Sequence, residues 1–128
     1  MPHEHLVQLR WSDPDSLGHV NHARALSLLE DARLAMIADL PEPTGVILAR
    51  LGVDHLRQLY HRIDERLTVS TTVTRIGTKS FAVRHELAQD GQVAIRVLAV
   101  CVHFDFTTDT SRAMTDDERG HWTTFAQD

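Results

Sequence analysis

His22-Ala23-Arg24-Ala25-Leu26-Ser27-Leu28-Leu29-Glu30-Asp31-Ala32-Arg33-Leu34-Ala35-Met36-Ile37-Ala38-Asp39 is the stretch on which the fold turns. It reads as a helix from about His22 to Asp39, with Asn21 as its N-cap and Pro41, Pro43 and Gly45 to stop it. Wound at 3.6 residues per turn, Ala23, Ala25, Leu26, Leu28, Leu29, Ala32, Leu34, Ala35, Met36 and Ile37 cover most of its surface. Arg24, Ser27 and Asp31 leave only a narrow polar strip. A helix apolar nearly all round is expected to be buried, so the rest of the chain must wrap it.

Outward from the helix, the pattern changes to strands. His5 to Trp11 reads as a strand that ends in the turn formers Ser12 to Gly18. Val46 to Leu59 reads as a second strand, with a bulge expected at Gly52. Arg66 to Ile76 is rich in β-branched residues, and Gly77-Thr78 turns it into Ser80 to Ala88. Asp90-Gly91 is a two-residue hairpin signal leading into Val93 to Phe106, the longest apolar run and the expected central strand. Asp109 to Arg112 reads as an exposed loop. Thr115-Asp116-Asp117-Glu118 is a capping box for a short last helix, pinned to the sheet by Trp122 and Phe125. The expectation is an α+β domain over residues 1–128, with an antiparallel five-stranded sheet wrapped around one helix.

Composition narrows the function. A chain of 128 residues with 42% hydrophobic residues is large enough to build a core without disulfides or metal. A net charge of −5 argues against a nucleic-acid surface. No run approaches the roughly 18 apolar residues of a membrane span. The opening Met1-Pro2-His3-Glu4-His5 lacks the pattern of a secretion signal, so a cytoplasmic protein is expected. Cys101, the single cysteine, lies in an apolar run with no basic neighbour and reads as a small buried hydrophobe. Arg96, within the same strand run, reads as a buried-pair residue or an interface residue, with the structural reading favoured.

The densest chemistry lies in Asp13-Pro14-Asp15-Ser16-Leu17-Gly18-His19-Val20-Asn21-His22. Two carboxylates, two imidazoles and a glycine feed into the start of the helix, whose unpaired N–H groups and dipole suit a developing oxyanion. A carboxylate just upstream can serve as base or nucleophile on the same carbon. Asp-Pro-Asp-Ser is also the composition of an ordinary turn, and Asn21 of an ordinary cap. His19 and His22, with Asp15, have the residue types of a metal site, but His19 precedes the helix start and no metal is expected. The other histidines show no shared spacing and read as structural or surface residues.

The run Arg10 to His22, followed by Leu28-Leu29-Glu30-Asp31-Ala32-Arg33, resembles the 4-hydroxybenzoyl-CoA thioesterase branch of the hotdog superfamily. Arg75-Ile76-Gly77-Thr78-Lys79-Ser80-Phe81 and Val83-Arg84-His85 resemble that family's turn between the third and fourth strands. The resemblance implies a hotdog fold and hydrolysis of an acyl-CoA to free acid and coenzyme A. Asp15 would be the general base or the nucleophile, and the His22 backbone N–H the oxyanion donor, worth roughly 3 kcal/mol in the transition state. The His22 ring would assist, Gly18 would let the backbone approach the thioester, and Glu30 would lie near the acyl pocket. Lys79, Arg75, Ser80 and Arg84 would hold the nucleotide end of coenzyme A, which is part of the substrate; no further cofactor is implied.

The resemblance also implies a homodimer or homotetramer whose sheets pair edge to edge, with Lys79 and Arg75 serving Asp15 of the other protomer. This chain departs from its relatives at Gly77 and Thr78, arginine in some of them, so an acyl-carrier-protein substrate stays open. Arg24 and Ala25 also stand where relatives often show Asn and Tyr, which implies a different acyl pocket. The rival readings are a non-catalytic acyl-CoA-binding or regulatory hotdog protein and a hotdog dehydratase. Free thiol marks hydrolysis, whereas an enoyl thioester marks dehydration.

Overall fold

A computed structural model of the chain describes residues 1–9, 18–40, 45–62 and 64–127. The elements are β1 (His3–Gln8), α1 (His22–Ala38), β2 (Val46–His55), β3 (Arg66–Ile76), β4 (Ser80–Gln89), β5 (Gln92–Asp105), β6 (Thr110–Ser111) and α2 (Asp116–Thr124). All strand pairings are antiparallel, and the sheet order is β1-β3-β4-β5-β2, with β6 added beside β5. The five expected strands are joined by this sixth, two-residue one. Residues read as a plain loop from Asp109 to Arg112 instead pair Thr110 and Ser111 with Asp105 and Phe104.

Alternation sets the inner face of the sheet. On β4 the buried positions Phe81, Val83, His85, Leu87 and Gln89 alternate with half-buried Ser80, Ala82, Arg84, Glu86 and Ala88. Register aligns Val69, Thr71 and Val73 of β3, and Val97, Ala99 and Cys101 of β5, with that inner face. Asp90 and Gly91 both take positive φ, 54° and 75°, as a type I′ hairpin turn requires.

The helix α1 starts where the cap signal places it: Asn21 Oδ1 accepts the Ala23 N–H at 2.9 Å. It is not buried all round. Ala25, Leu28, Leu29, Ala32 and Met36 pack into the core, whereas Ala23 and Leu34 are exposed in the chain. The sheet covers one side of a helix whose composition is apolar on several.

Two strand ends and one bulge differ from expectation for non-local reasons. β1 begins at His3, because its register with β3 extends to His3 opposite Thr71. β2 stops at His55 rather than Leu59. The N–H groups of Leu56 and Arg57 both turn to the Ala94 carbonyl, at 2.8 and 3.1 Å, and leave the ladder. The β2 irregularity lies between Leu48 and Arg50, while Gly52 pairs regularly with Leu98.

At the β3–β4 turn end of the inner face, α2 closes the core. Thr115 and Glu118 form the complete capping box. Trp122 stacks on Phe81 with centroids 3.9 Å apart, and its Nε1–H donates to His103 Nε2 at 2.9 Å. An indole N–H can only donate, so His103 carries its proton on Nδ1, 3.2 Å from Glu118 Oε2. Arg112 grips Glu118 with two hydrogen bonds at 2.7 and 2.8 Å. Phe125 packs edge-on against His3 at 5.2 Å. No helix among the described residues is long and apolar enough to cross a membrane.

Candidate functional site

The approach to α1 is held by the chain that follows β2. Gly18, at φ +79°, gives its carbonyl to the His61 N–H, and the Val20 N–H donates to the Leu59 carbonyl at 2.7 Å. A side chain at that φ would be strained, which accounts for glycine there. Gln89 clamps the same connection by bonding both the N–H and the carbonyl of Tyr60 at 2.8 Å. These bonds fix where α1 begins. Asp15, and all of residues 10–17, lie outside the described residues.

The start of α1 opens onto a cleft of about 540 Å³, lined by Val20, His22, His55, Leu56, Arg57, Gln58, Leu59 and Ile95. Asn21 uses its side chain on Ala23, and its carbonyl accepts the Ala25 N–H at 2.9 Å. The His22 ring stands edge-on to His55, with centroids 6.2 Å apart. His19 packs instead against Tyr60 at 5.1 Å, so the two histidines that sequence spacing groups together have different neighbours. Among the described residues no group of three or more His, Cys, Asp and Glu is placed to hold a metal.

Further along the helix, Glu30 lines a gap of about 70 Å³ with Leu26, Leu29, Leu48, Leu51 and His85. Arg33 pairs with Glu30 one turn away, through Nε at 3.1 Å and through Nη2. Burial works against the Arg33 charge, and the Glu30 carboxylate more than offsets it, so the guanidinium holds its proton more tightly than usual. Arg33 also reaches Cys101, a neighbour invisible in the local sequence. Burial still pushes the thiol pKa up against the pull of Arg33, so it behaves as a hydrophobe. His85, 3% exposed and 2.7 Å from Thr71 Oγ1, is pushed down to about 4 by burial, with Arg33 adding to the shift.

The residues expected to hold coenzyme A lie elsewhere. Arg75 and Lys79 are exposed at the β3–β4 turn, and the Arg75 guanidinium lies over Gly77 beside Ser80. This turn is tied down: the Gly77 N–H donates to the Ser80 carbonyl at 2.7 Å, and Arg119 donates to the Gly77 carbonyl at 2.8 Å. Register puts Arg75, Ser80 and Arg84 on the outer face of the sheet, opposite Ala82, Val102 and Leu98. Arg84 lies 3.6 Å from Glu86, which also accepts from Arg96 at 3.0 Å.

Within one chain these two groups are not brought together. The cleft at His22 is at the β4–β5 turn end, and Lys79 is at the other end of β4, a strand of 10 residues and about 33 Å. His55, which the sequence reads as a structural or surface residue, and Arg57, to which it gives no role, both line the cleft. No local signal marks them; only the pairing of His55 with Ile95 puts them opposite the helix start.

Comparison with solved structures places the same architecture in three proteins of similar length. A predicted thioesterase from Bacillus stearothermophilus is 26% identical at a TM-score of 0.88, covering 99% of this chain and 98% of that one. A thioesterase from Thermus thermophilus, solved with coenzyme A and Zn, is 25% identical at 0.83, covering 95% and 92%. A Pseudomonas aeruginosa protein described as a thioesterase is 25% identical at 0.81, covering 92% and 95%. No curated protein matches the chain. The fold is the hotdog-like thioesterase fold, with an antiparallel sheet and two helices. The model of the thioesterase-like superfamily matches residues 9–121, and the chain belongs to that superfamily.

Proposed function

We propose that this protein hydrolyses an acyl-CoA thioester to free acid and coenzyme A, in the manner of the 4-hydroxybenzoyl-CoA thioesterase branch. The observation that carries the reading is the cleft of about 540 Å³ at the start of α1, directly after the Asp13–His22 block. A thioester carbonyl seated there points its oxygen at the free N–H groups of the first helical turn. In this reading Asp15 activates water or attacks the carbonyl carbon, and the His22 N–H stabilises the oxyanion. Gly18 lets the backbone come close, and Glu30 borders the acyl side. The reaction uses no cofactor beyond the coenzyme A of the substrate.

The carrier end favours a dimer. Arg75, Lys79 and Ser80 sit toward the far end of the sheet from the cleft, and Arg84 lies midway along β4 on the outer face, so in this reading they serve a thioester held by a second copy. β2, an edge strand with exposed Leu48 and Leu51, is suited to pairing with its equivalent. The coenzyme A complex of the Thermus relative supports a CoA carrier over an acyl-carrier protein.

Thiol release from short, medium, long and aromatic acyl-CoAs tests the reading. Wild-type release that falls at least ~100-fold in Asp15→Asn, with circular dichroism unchanged, is expected. Tight acyl-CoA binding without release would leave a binding protein instead, and an enoyl thioester product a dehydratase.

A further inference from the structure

Two imidazoles meet edge to face at the cleft, and the mechanism above uses only one. His55 is the last residue of β2 and pairs with buried Ile95, which puts its side chain on the sheet's inner face. Its ring stands edge-on to that of His22, and both line the cleft. One ring belongs to the helix wall and the other to the strand wall. Both residues are exposed, so neither ring is committed to the core.

We propose that His55 is the acid of this reaction centre and protonates the sulfur as the carbon–sulfur bond breaks. The proposal rests on the thioesterase reading. With the carbonyl oxygen at the helix end, the sulfur and the acyl carbon are the groups left to face the strand wall. Of the other residues lining that wall, Leu56, Leu59 and Ile95 are apolar, Arg57 and Gln58 are a guanidinium and an amide, and His55 is the imidazole among them. Water adds to the carbonyl carbon, its proton passes to Asp15, and the carbonyl π pair moves onto oxygen. Collapse of the oxyanion restores the carbonyl and breaks the carbon–sulfur bond, whose electron pair goes to sulfur. Sulfur takes the proton of the His55 imidazolium. The base gives its proton to solvent and the ring regains one from solvent, so one water is consumed and free acid and thiol leave. An alkyl thiol, with a pKa near ~8.5 as in cysteine, departs more easily when protonated on the way out.

A leaving-group comparison in the full chain tests this. Wild type, His55→Phe and His55→Gln are assayed on one acyl group carried by coenzyme A and by thionitrobenzoate, whose thiolate leaves without a proton. Each variant is compared with wild type on the same substrate. Both variants are expected to lose about 100-fold or more in kcat on the CoA thioester and to stay within about threefold on the aryl thioester. Equal losses on the two substrates, or no loss on either, overturn the proposal. A wild type inactive on both substrates overturns the thioesterase reading and this proposal with it, a failure distinct from the first. Thermal unfolding confirms that both variants are folded.

Discussion

At one end of the inner face α2 seals the sheet: Trp122 lies on Phe81 and donates to His103, and Arg112 grips Glu118, whose Oε2 lies 3.2 Å from His103 Nδ1. At the other end Val20, His22 and His55 leave a cleft, and the rings beside it are exposed. Both ends carry a helix terminus, a histidine and polar side chains, so composition does not distinguish them. What differs is whether the polar groups are buried against one another or left exposed. At the closed end the Arg112 hydrogen bonds hold the Glu118 carboxyl down at about 2 despite its burial. Burial lowers the pKa of His103 against the pull of Glu118, which keeps its ring neutral for Trp122. Such a network specifies one arrangement of α2. The groups lining the cleft end, His22 and His55 among them, are left exposed.

The comparison breaks most visibly at Trp122. Trp122→Ala removes the largest buried side chain of the closed end and is expected to cost about 3–5 kcal/mol. Urea unfolding should show that loss while kcat per folded molecule stays near wild type. A loss under about 1 kcal/mol would mean that α2 is not the seal.

Acid probes how far the dry region reaches. His85 has its pKa lowered from 6.5 to about 4, so the unfolded chain takes up a proton more readily than the folded one between those values. Stability is therefore fully present above pH 6.5 and falls as pH drops toward 4, by about 3 kcal/mol from this residue. His103, also lowered, adds a loss of the same sign. Denaturant midpoints between pH 7 and 4.5 should show a decline that is shallower in His85→Gln. An equal slope in that variant would remove His85 as the source.

Smallest is the open end. Asn21→Ala deletes the cap on Ala23 and is expected to cost about 1 kcal/mol. His22→Gln, one residue on, should change stability by less than about 0.5 kcal/mol. If His22→Gln were as destabilising as the cap variant, the cleft would be a packed part of the fold.

Much of the fold was legible because its signals are local chemistry. The Asn21 cap, the Asp90-Gly91 turn, the Thr115–Glu118 box and both ends of β3 read correctly, since each depends on residues a few positions apart. The end of β2, the strand β6 and the one-sided burial of α1 did not. Each depends on a distant group: the Ala94 carbonyl, the Asp105 edge, or the side of the helix the sheet reaches. Of the site, the Asp13–His22 block was visible as a motif. His55 was not, because nothing in its neighbours distinguishes it from the other histidines.

By itself the sequence determined the helix and its start, the alternation that gives the sheet two faces, and the Asp13–His22 run on which the proposed chemistry rests. Tertiary structure alone decided which histidine meets His22, that Arg33 lies against Cys101, and that Lys79 and the cleft lie toward opposite ends of β4. Caps, turns and alternation are set by bonds within a few residues. Cleft partners are set by strand register, and one residue of slip would turn His55 to the other face.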